Sequence, residues 1–211
     1  MDIQVEDVRA VVDIQAAVVD NAVSDLDLVY RVQKEDDLKA YELLVKRYEK
    51  EAFGLAYTLV GDREDARDIL QDSFLNCYRS IKAFRGESSF RTYFFRILVN
   101  RCKDAQRKRS IWGRVFLWRV PEGEGEEISE AVTLKTPSQE MARSELGKKI
   151  EMVMKKLPWR QRTVFALKFI DGMKIREIAA LTDLNPGTVK AHLFHAVSKM
   201  RTALEQYLER T

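Results

Sequence analysis

The sequence predicts an all-α protein made of two small helical domains, a bundle of three or four helices and a helix-turn-helix unit, joined by a flexible linker. Apolar residues recur at spacings of three and four along most of the chain, and no stretch shows the sustained alternation of a half-buried strand. The tract Pro121–Glu130 has five Glu, two Gly and no base, so it cannot bury enough apolar surface to fold alone. We interpret it as a linker between two helical units of about 70 to 80 residues each.

The composition is that of a globular protein. At 211 residues, 45% hydrophobic and 33% charged, the chain can bury a core, and it is not a disordered chain, a collagen or a disulfide scaffold. No run approaches the roughly 20 apolar residues that cross a bilayer, and the first ten residues are acidic where a secretory signal is basic. We expect a cytoplasmic protein without direct membrane insertion, with Cys77 and Cys102 as reduced thiols on helices.

Capping residues mark the helices of the first unit. Polar N-caps and C-terminal glycines divide it into three helices, of which the third is basic and has an apolar stripe along one side. The expected caps are, in chain order, Asp36 or Asp37, Gly61, Asp62, Gly86, and Ser88 or Ser89. Three such helices form a small bundle.

The second unit ends in a helix-turn-helix pattern. A capping box, Thr136-Pro137-Ser138-Gln139, begins its first helix, and Pro158 begins the next. A short helix over 175–181 is followed by a turn, and Asn185-Pro186-Gly187-Thr188 is a strong N-cap for a second helix that ends at about Leu208. Such a helix can enter a major groove; the alternative is a plain amphipathic hairpin on a core.

Charge is strongly segregated, although the net charge is only +3. Residues 1–37 hold ten acids against three bases, whereas residues 85–109 hold eight bases against two acids. A compact positive segment suits a polyphosphate, because each neutralised phosphate releases counterions. A solvated helix face would have the same composition.

Five stretches resemble the extracytoplasmic-function (ECF) group of bacterial sigma factors. YELLVKRY, DREDARDILQDSFLNCYRSI and FRGESSFRTYFFRILVNRCKD resemble the second sigma domain of that group, and LPWRQRTVFALKFIDGMKIREIAAL and NPGTVKAHLFHAVSKMR resemble the fourth. The resemblance implies four segments. These are an acidic N-terminal extension (1–30), a sigma-2-like domain (31–109), a linker (110–137) and a sigma-4-like helix-turn-helix domain (138–211).

The resemblance implies a subunit that joins core RNA polymerase and directs promoter recognition, opening and transcription initiation, with no chemistry or cofactor of its own. It implies contacts with the clamp helices of the largest subunit and with the flap, and an anti-sigma factor as a further partner. Asp68, Gln71, Asp72 and Phe74 fall on the clamp-binding motif. An acidic and amide surface suits a basic coiled coil, although a solvated helix face would also explain the acids, and Phe74 is equally a core candidate.

The segment between the second and third helices matches the family loop that captures a base flipped from the non-template strand of the minus-ten element. This requires a glycine for close backbone approach, small hydroxyls that read a base edge, aromatic rings that replace stacking, and cations that hold phosphates. The residues so assigned are Arg85, Gly86, Ser88, Ser89, Phe90, Arg91, Tyr93, Arg96, Asn100, Arg101 and Lys103. The family commonly has tryptophan where Tyr93 stands, which predicts weaker stacking, and each aromatic is also a candidate core residue.

The resemblance places minus-thirty-five recognition on the last helix, where the family usually has arginine at the positions of His192 and His195. Neutral imidazole cannot make the bidentate contact of arginine with guanine. We hypothesise that binding strengthens as pH falls toward about 6, because histidine gains charge near its usual pKa of about 6.5. No third ligand is nearby in sequence, so we predict no metal site there. The residues assigned to this element are Thr188, Lys190, Ala191, His192, Phe194, His195 and Lys199.

Two alternatives remain open at this stage. The acidic segment 1–30 is either a disordered tail or a helix that covers a basic surface, and the linker glutamates either mimic nucleic acid in the polymerase or form a solvated spacer. An enzyme is disfavoured because the sequence has no GxGxxG, Walker, HExxH or CxxC motif. The competing function is a helix-turn-helix regulator with an N-terminal sensing or dimerisation domain, which would not explain the loop at 85–90.

Overall fold

A computed structural model of the chain describes residues 23–116 and 145–208. Within these two ranges all regular structure is helical, which confirms the all-α prediction. The elements are α1 (Asp25–Glu35), α2 (Leu38–Val60), α3 (Arg63–Ser80), a 3-10 turn (Ile81–Ala83), α4 (Phe90–Phe116), α5 (Glu145–Lys156), α6 (Trp159–Phe169), α7 (Ile175–Thr182) and α8 (Pro186–Leu208). The capping box at 136–139 and the acidic tract at 121–130 lie outside the described residues.

Most of the predicted helix caps form, but Gly86 does not end α3, which ends at Ser80 and is followed by the 3-10 turn. Asp37 accepts the Ala40 N–H at 3.1 Å, and Asp62 accepts the Asp65 N–H at 2.9 Å. Gly61 ends α2 in the left-handed conformation, with φ of 78°. These side chains satisfy backbone groups that a helix end leaves unpaired.

The N-terminal bundle contains four helices, because α1 packs on α2, on α4 and on the 3-10 turn that follows α3. Leu28, Val29 and Val32 on α1 are buried, and the helix begins at Asp25, ahead of the domain boundary that the sequence suggests at residue 31. Gln33, also on α1, donates hydrogen bonds to the carbonyl oxygens of Ile81 at 2.7 Å and Phe84 at 2.8 Å. The first helix therefore holds the segment that leads into the loop at 85–89.

The C-terminal domain is a helix-turn-helix that packs on two preceding helices. Asp183, with φ of 54°, makes the turn between α7 and α8, and Asn185 accepts the Thr188 N–H at 2.7 Å where α8 begins. Val189, Ala196 and Met200 line the buried side of α8. Ile170, by contrast, is 50% exposed, because α6 ends one residue earlier and the chain turns away from the core.

The two domains are in contact with each other. Within the described residues, α2 packs on α6 and α4 packs on α7. The sequence predicts two units on a linker and gives no indication of this interface.

Candidate nucleic-acid interface

The loop from Arg85 to Ser89 is an exposed turn in front of the basic helix α4. Gly86 has a φ of 73°, a left-handed conformation that residues with a Cβ adopt at a cost of about 1–2 kcal/mol. No heavy atom lies within 4 Å of the position that a Cβ would take there. The glycine is thus required by backbone conformation, and the space beside it is open to a ligand.

The two serines of the loop have different roles in the fold. Ser89 caps α4 by accepting the Thr92 N–H at 3.1 Å, and its hydroxyl shares a hydrogen bond with that of Thr92 at 2.9 Å. Ser88 makes one long bond, to the Ser89 carbonyl at 3.3 Å. The Ser88 hydroxyl is therefore the more available of the two for a base edge, because the Ser89 hydroxyl already has two partners.

The aromatic residues assigned to base stacking divide into core and rim. Phe90 is 1% exposed and contacts the rings of Tyr48 and Phe94, so its ring is not available to a base in this structure. Phe90 is the first residue after the N-cap of α4, and its side chain there points into the core. Its assignment as a base-stacking residue is therefore corrected. Tyr93 is half-buried; its hydroxyl shares a 2.6 Å hydrogen bond with Ser80, and its ring lies 4.8 Å from Phe84. Tyr93 is the aromatic that remains at the edge of the loop.

The cations assigned to phosphates lie along α4 after the loop. Arg96, Asn100, Arg101 and Lys103 are exposed. Arg91 is half-buried, pairs with Glu51 on α2, and lies 4.9 Å above the Phe95 ring. Arg91 is therefore already paired within the protein. Within the part of the chain that the structure describes, Arg101 and Lys103 make no hydrogen bond or ion pair.

The first turns of α8 form the second candidate surface. Lys190, Ala191 and His195 are exposed, and Phe194 is 71% exposed, which is unusual for a phenylalanine. Thr188 is half-buried and donates to the Asn185 side chain at 3.0 Å, and Lys199 donates to Gln161 at 3.1 Å. This face is small, cationic and aromatic, as a major-groove helix requires.

His192 differs from the other assigned residues of α8. Its Nε2 is buried and has no hydrogen-bond partner, and burial, followed by the nearby Arg160 and His195, holds its pKa below the usual 6.5. His192 therefore gains its charge at a lower pH than a free histidine does. Any effect of His192 protonation on DNA binding therefore occurs at a lower pH than the sequence suggests.

The polymerase-binding candidates form a stripe along α3. Asp68, Gln71 and Asp72 are exposed at consecutive turns, and Leu75 extends the same face with 47% exposure. Phe74 points the other way; its ring stacks on Phe94 at 4.4 Å between centroids. The exposed stripe is thus acidic and amide with an apolar end, and Phe74 supports it from the core side.

Among the described residues, no group of three or more His, Cys, Asp and Glu side chains could hold a metal ion. None of the described helices is long and apolar enough to cross a membrane. Cys77 and Cys102 are free and buried, and burial raises the pKa of each thiol to about 12. Both thiols are therefore protonated and poorly reactive at neutral pH.

Comparison with known proteins gives matches in both halves of the chain. The family model for Sigma-70 region 2 matches residues 44–111, and that for Sigma-70 region 4 matches residues 147–200. The ECF RNA polymerase sigma-E factor of Haemophilus influenzae is 36% identical over 82% of this chain and 91% of that protein. The chain belongs to the ECF sigma factors. The RNA polymerase sigma-H factor of Pseudomonas aeruginosa is 30% identical over 87% of this chain and 95% of that protein.

Solved structures show the same fold. CnrH, in a structure with the cytosolic domain of CnrY, has a TM-score of 0.62 and 22% identity over 85% of this sigma factor and 96% of that chain. The sigma factor RpoE of Bartonella quintana, in a structure with the anti-sigma factor NepR, has a TM-score of 0.62 and 18% identity over 79% of this chain and 98% of that chain. The regulator alternative is set aside, because the match to Sigma-70 region 2 covers the loop at 85–90, which that alternative left unexplained.

Three residues of this sigma factor, one on the α3 stripe and two at the contact between the domains, were not singled out from the sequence. Leu75 extends the α3 stripe, and its apolar side chain is an ordinary member of a helical pattern until its exposure is known. Arg162 is 7% exposed and donates to the Leu59 carbonyl oxygen at 2.9 Å, which joins the two domains. Asp171 is a second domain-joining residue. No local signal identifies either one, because their partners lie far away in sequence.

Proposed function

We propose that this ECF sigma factor binds core RNA polymerase through the α3 stripe and directs it to promoters through the two surfaces on α4 and α8. In this proposal residues 31–109 act as the sigma-2-like domain and residues 138–211 as the sigma-4-like domain, with the linker 110–137 between them. The observation that best supports the proposal is the exposed loop with a left-handed glycine directly in front of a basic helix. A helix-turn-helix regulator has no need of that loop.

The chemistry of each surface supports a separate role. Gly86 leaves open backbone, and Ser88 carries a hydroxyl with one long bond, in the loop whose edge Tyr93 forms, which suits a flipped base. Arg101 and Lys103 suit the phosphates that follow. On α8, the exposed ring of Phe194 suits thymine methyl groups, and Lys190 suits a phosphate. Catalysis of RNA synthesis belongs to the polymerase, so no residue of this chain is assigned a catalytic role.

The partners follow from the same assignment. Core polymerase meets the stripe of Asp68, Gln71, Asp72 and Leu75, and the acids suit a basic partner helix. Promoter DNA meets the α4 and α8 surfaces, and the flap of the polymerase meets the C-terminal domain. An anti-sigma factor is a further partner, since the structures of CnrH and of Bartonella RpoE each contain a second protein. These partners place the protein in the cytoplasm.

Reconstitution tests the proposal directly. The purified chain is mixed with core polymerase and a library of promoters in which the minus-ten and minus-thirty-five elements are randomised, and the transcripts are sequenced. We expect a narrow set of start sites that core polymerase alone does not produce. Random initiation, together with tight binding of the chain alone to a palindromic duplex, would favour a regulator.

The polymerase stripe is tested by co-purification. Asp72→Ala and Leu75→Ala should each lower the amount of sigma factor retained on immobilised core polymerase, because both side chains are exposed on the same face. Asp104→Ala removes an exposed acid from α4 and is the matched control. Equal retention of all three variants would show that the stripe is a solvated helix face.

A further inference from the structure

The DNA-binding face proposed for α4 is in contact with the C-terminal domain. Arg96 donates a hydrogen bond to the Ala180 carbonyl oxygen, and its guanidinium lies 4.0 Å from the Asp183 carboxylate. Arg91 donates to the Asp171 carbonyl oxygen at 3.1 Å. Asn100 and Lys103 line a cleft of about 70 Å³ between α4 and the C-terminal domain. Two of the residues assigned to the minus-ten strand thus bond to the C-terminal domain, and two more line the cleft beside it.

The C-terminal domain offers these arginines the kind of partner that a DNA strand would offer. Ala180 and Asp183 lie at the C-terminal end of α7, where the aligned peptide dipoles place partial negative charge. Arg96 therefore binds a carbonyl oxygen and a carboxylate in place of phosphate oxygens. An N–H group that donates to one of these oxygens is not available to a phosphate.

Two further contacts hold the domains together away from α4. The guanidinium of Arg162 donates to the Leu59 carbonyl oxygen of the N-terminal domain and to the carbonyl oxygens of Lys155 and Leu157 in its own domain. Tyr57 on α2 donates to the Glu151 carboxylate at 3.3 Å. The contact between domains is thus built from specific bonds at both ends of the interface.

This arrangement is incompatible with simultaneous binding of both promoter elements. The minus-ten and minus-thirty-five elements are about 25 base pairs apart, which is roughly 85 Å of B-form DNA at 3.4 Å per base pair. In the structure α4 touches α7, the first helix of the helix-turn-helix. The domains must therefore separate before α4 and α8 can each reach its element.

We propose that the chain free of polymerase is self-masked: its C-terminal domain closes over the strand-binding face of α4, and the contact of Asp171 with the Arg91–Glu51 pair is the latch that opening breaks. This inference rests on the proposed function, because it takes α4 as the strand-binding face. Closure itself is a property of the chain alone and can be measured without polymerase or DNA.

The latch is a cluster of two carboxylates and one guanidinium at the domain boundary. Arg91 pairs with Glu51 inside the N-terminal domain and donates across the boundary to Asp171. One carboxylate oxygen of Asp171 is buried without a hydrogen-bond partner. Burial and the nearby Glu51 raise the pKa of Asp171 to about 7, against the opposing effect of Arg91. Two lysines also lie at this loop: Lys168 donates to the Met173 carbonyl oxygen at 3.4 Å, and Lys174 directly precedes α7.

The sign of the pH dependence follows from this burial. When the domains separate, Asp171 becomes exposed and titrates near its ordinary value of 3.8. Closing therefore takes up a proton at any pH between about 4 and about 7. In that window the ratio of closed to open molecules falls by up to about tenfold for each unit of rising pH, and above it the ratio is constant. The Arg91–Glu51 pair lies within one domain and persists in both states.

Resonance energy transfer within the full chain measures closure. Dyes are attached to cysteines introduced at two exposed positions, Lys46→Cys on α2 and Glu205→Cys on α8; the native Cys77 and Cys102 are buried and remain unlabelled. We expect high transfer at pH 5.5 that falls toward pH 7.5. Asp171→Asn should keep transfer high at every pH, because the amide carries no charge to bury. Asp104→Asn, in an exposed acid of α4, is the matched control and should titrate like the parent chain.

Each outcome of the titration decides a part of the proposal. Low transfer in the free chain at every pH means that the domains are apart, which overturns self-masking. High transfer that does not change with pH supports closure and overturns the latch. A titration of Asp171→Asn that matches the parent chain also overturns the latch.

A reversible cross-link tests whether closure blocks function. The substitutions Tyr57→Cys and Glu151→Cys replace two side chains that meet across the boundary, and the new thiols are joined by a bis-maleimide with an internal disulfide. With core polymerase, we expect the linked chain to support less than one tenth of the transcription that it supports after reduction. Equal activity in the two states overturns masking. Activity in neither state means that the proposed function fails, and the transfer measurement still decides whether the chain closes.

Discussion

Replacing Phe90 with alanine tests whether this side chain acts in the core or in contact with DNA. The family resemblance assigns this ring to base stacking, and the apolar pattern makes it a core candidate as well; the structure buries it to 1% exposure. Its centroid lies 5.7 Å from that of Tyr48, 6.3 Å from that of Phe84 and 6.4 Å from that of Phe94. The burial predicts that the main effect of Phe90→Ala is on the stability of the N-terminal domain.

The expected loss is large because the cavity is enclosed by rings. Truncation of a buried phenylalanine to alanine lowers the free energy of unfolding by about 3–5 kcal/mol. For a domain of this size, each kcal/mol lowers the melting temperature by roughly 4–8 °C, so a fall of roughly 12 °C or more is expected. Phe194→Ala is the control: that ring is 71% exposed, and its loss should change stability by less than about 0.5 kcal/mol.

Thermal unfolding followed by far-ultraviolet circular dichroism measures both variants with one probe, and promoter binding is measured below the lower transition. Phe194→Ala should keep the parent melting temperature and lose minus-thirty-five binding. If Phe90→Ala keeps the parent melting temperature but fails to open promoters, the ring acts on DNA and the inference from burial is wrong.

Three further predictions concern a cap, the domain interface and the recognition helix. Asp62→Ala removes the N-cap of α3 and should lower the free energy of unfolding in urea by about 1 kcal/mol, with Asp62→Asn as the variant that retains it. Arg162→Met leaves three carbonyl oxygens without their donor, so it should reduce resonance energy transfer between the domains. Arg162→Lys should not restore that transfer, since one ammonium cannot reproduce the planar guanidinium. His192→Arg should strengthen binding to a minus-thirty-five duplex and increase the salt dependence of that binding by about one phosphate contact. In the parent chain, His192 should contribute little to the change in binding between pH 8 and pH 6.5, because its lowered pKa keeps it neutral there.

Features set by neighbours in sequence were predictable, and features set by distant contacts were not. Asp37, Gly61 and Asn185 act on backbone groups within four residues, so their patterns specify the helix ends directly. The packing of α1 into the bundle was not predicted, because the sequence leaves residues 1–30 open between a disordered tail and a helix, although Leu28 and Val32 have the spacing of a buried stripe. Burial on α1 depends on which helices surround it, and local sequence does not contain that information.

The candidate site shows the same division at the level of single side chains. Gly86 was predictable because a loop of this kind requires a residue without a Cβ. The inward direction of Phe90 and the use of the Ser89 hydroxyl as a cap depend on where α4 begins, and a shift of one residue reverses both. The Arg96 contact with Ala180 joins residues from different domains, and no pattern in either segment indicates it.

The length of the chain between the domains determines what kind of opening is possible. Residues 117–144 separate the end of α4 from the start of α5, and a segment of that length spans at most roughly 95 Å when fully extended. The two promoter elements are roughly 85 Å apart along B-form DNA. Because the segment can reach across that distance, the domains can separate as intact bodies, and neither α4 nor α5 has to unfold. Promoter engagement then breaks only the contacts at the interface, so a variant that weakens the interface should favour the open state without loss of helix, and circular dichroism of Arg162→Met in the pre-transition range tests this point.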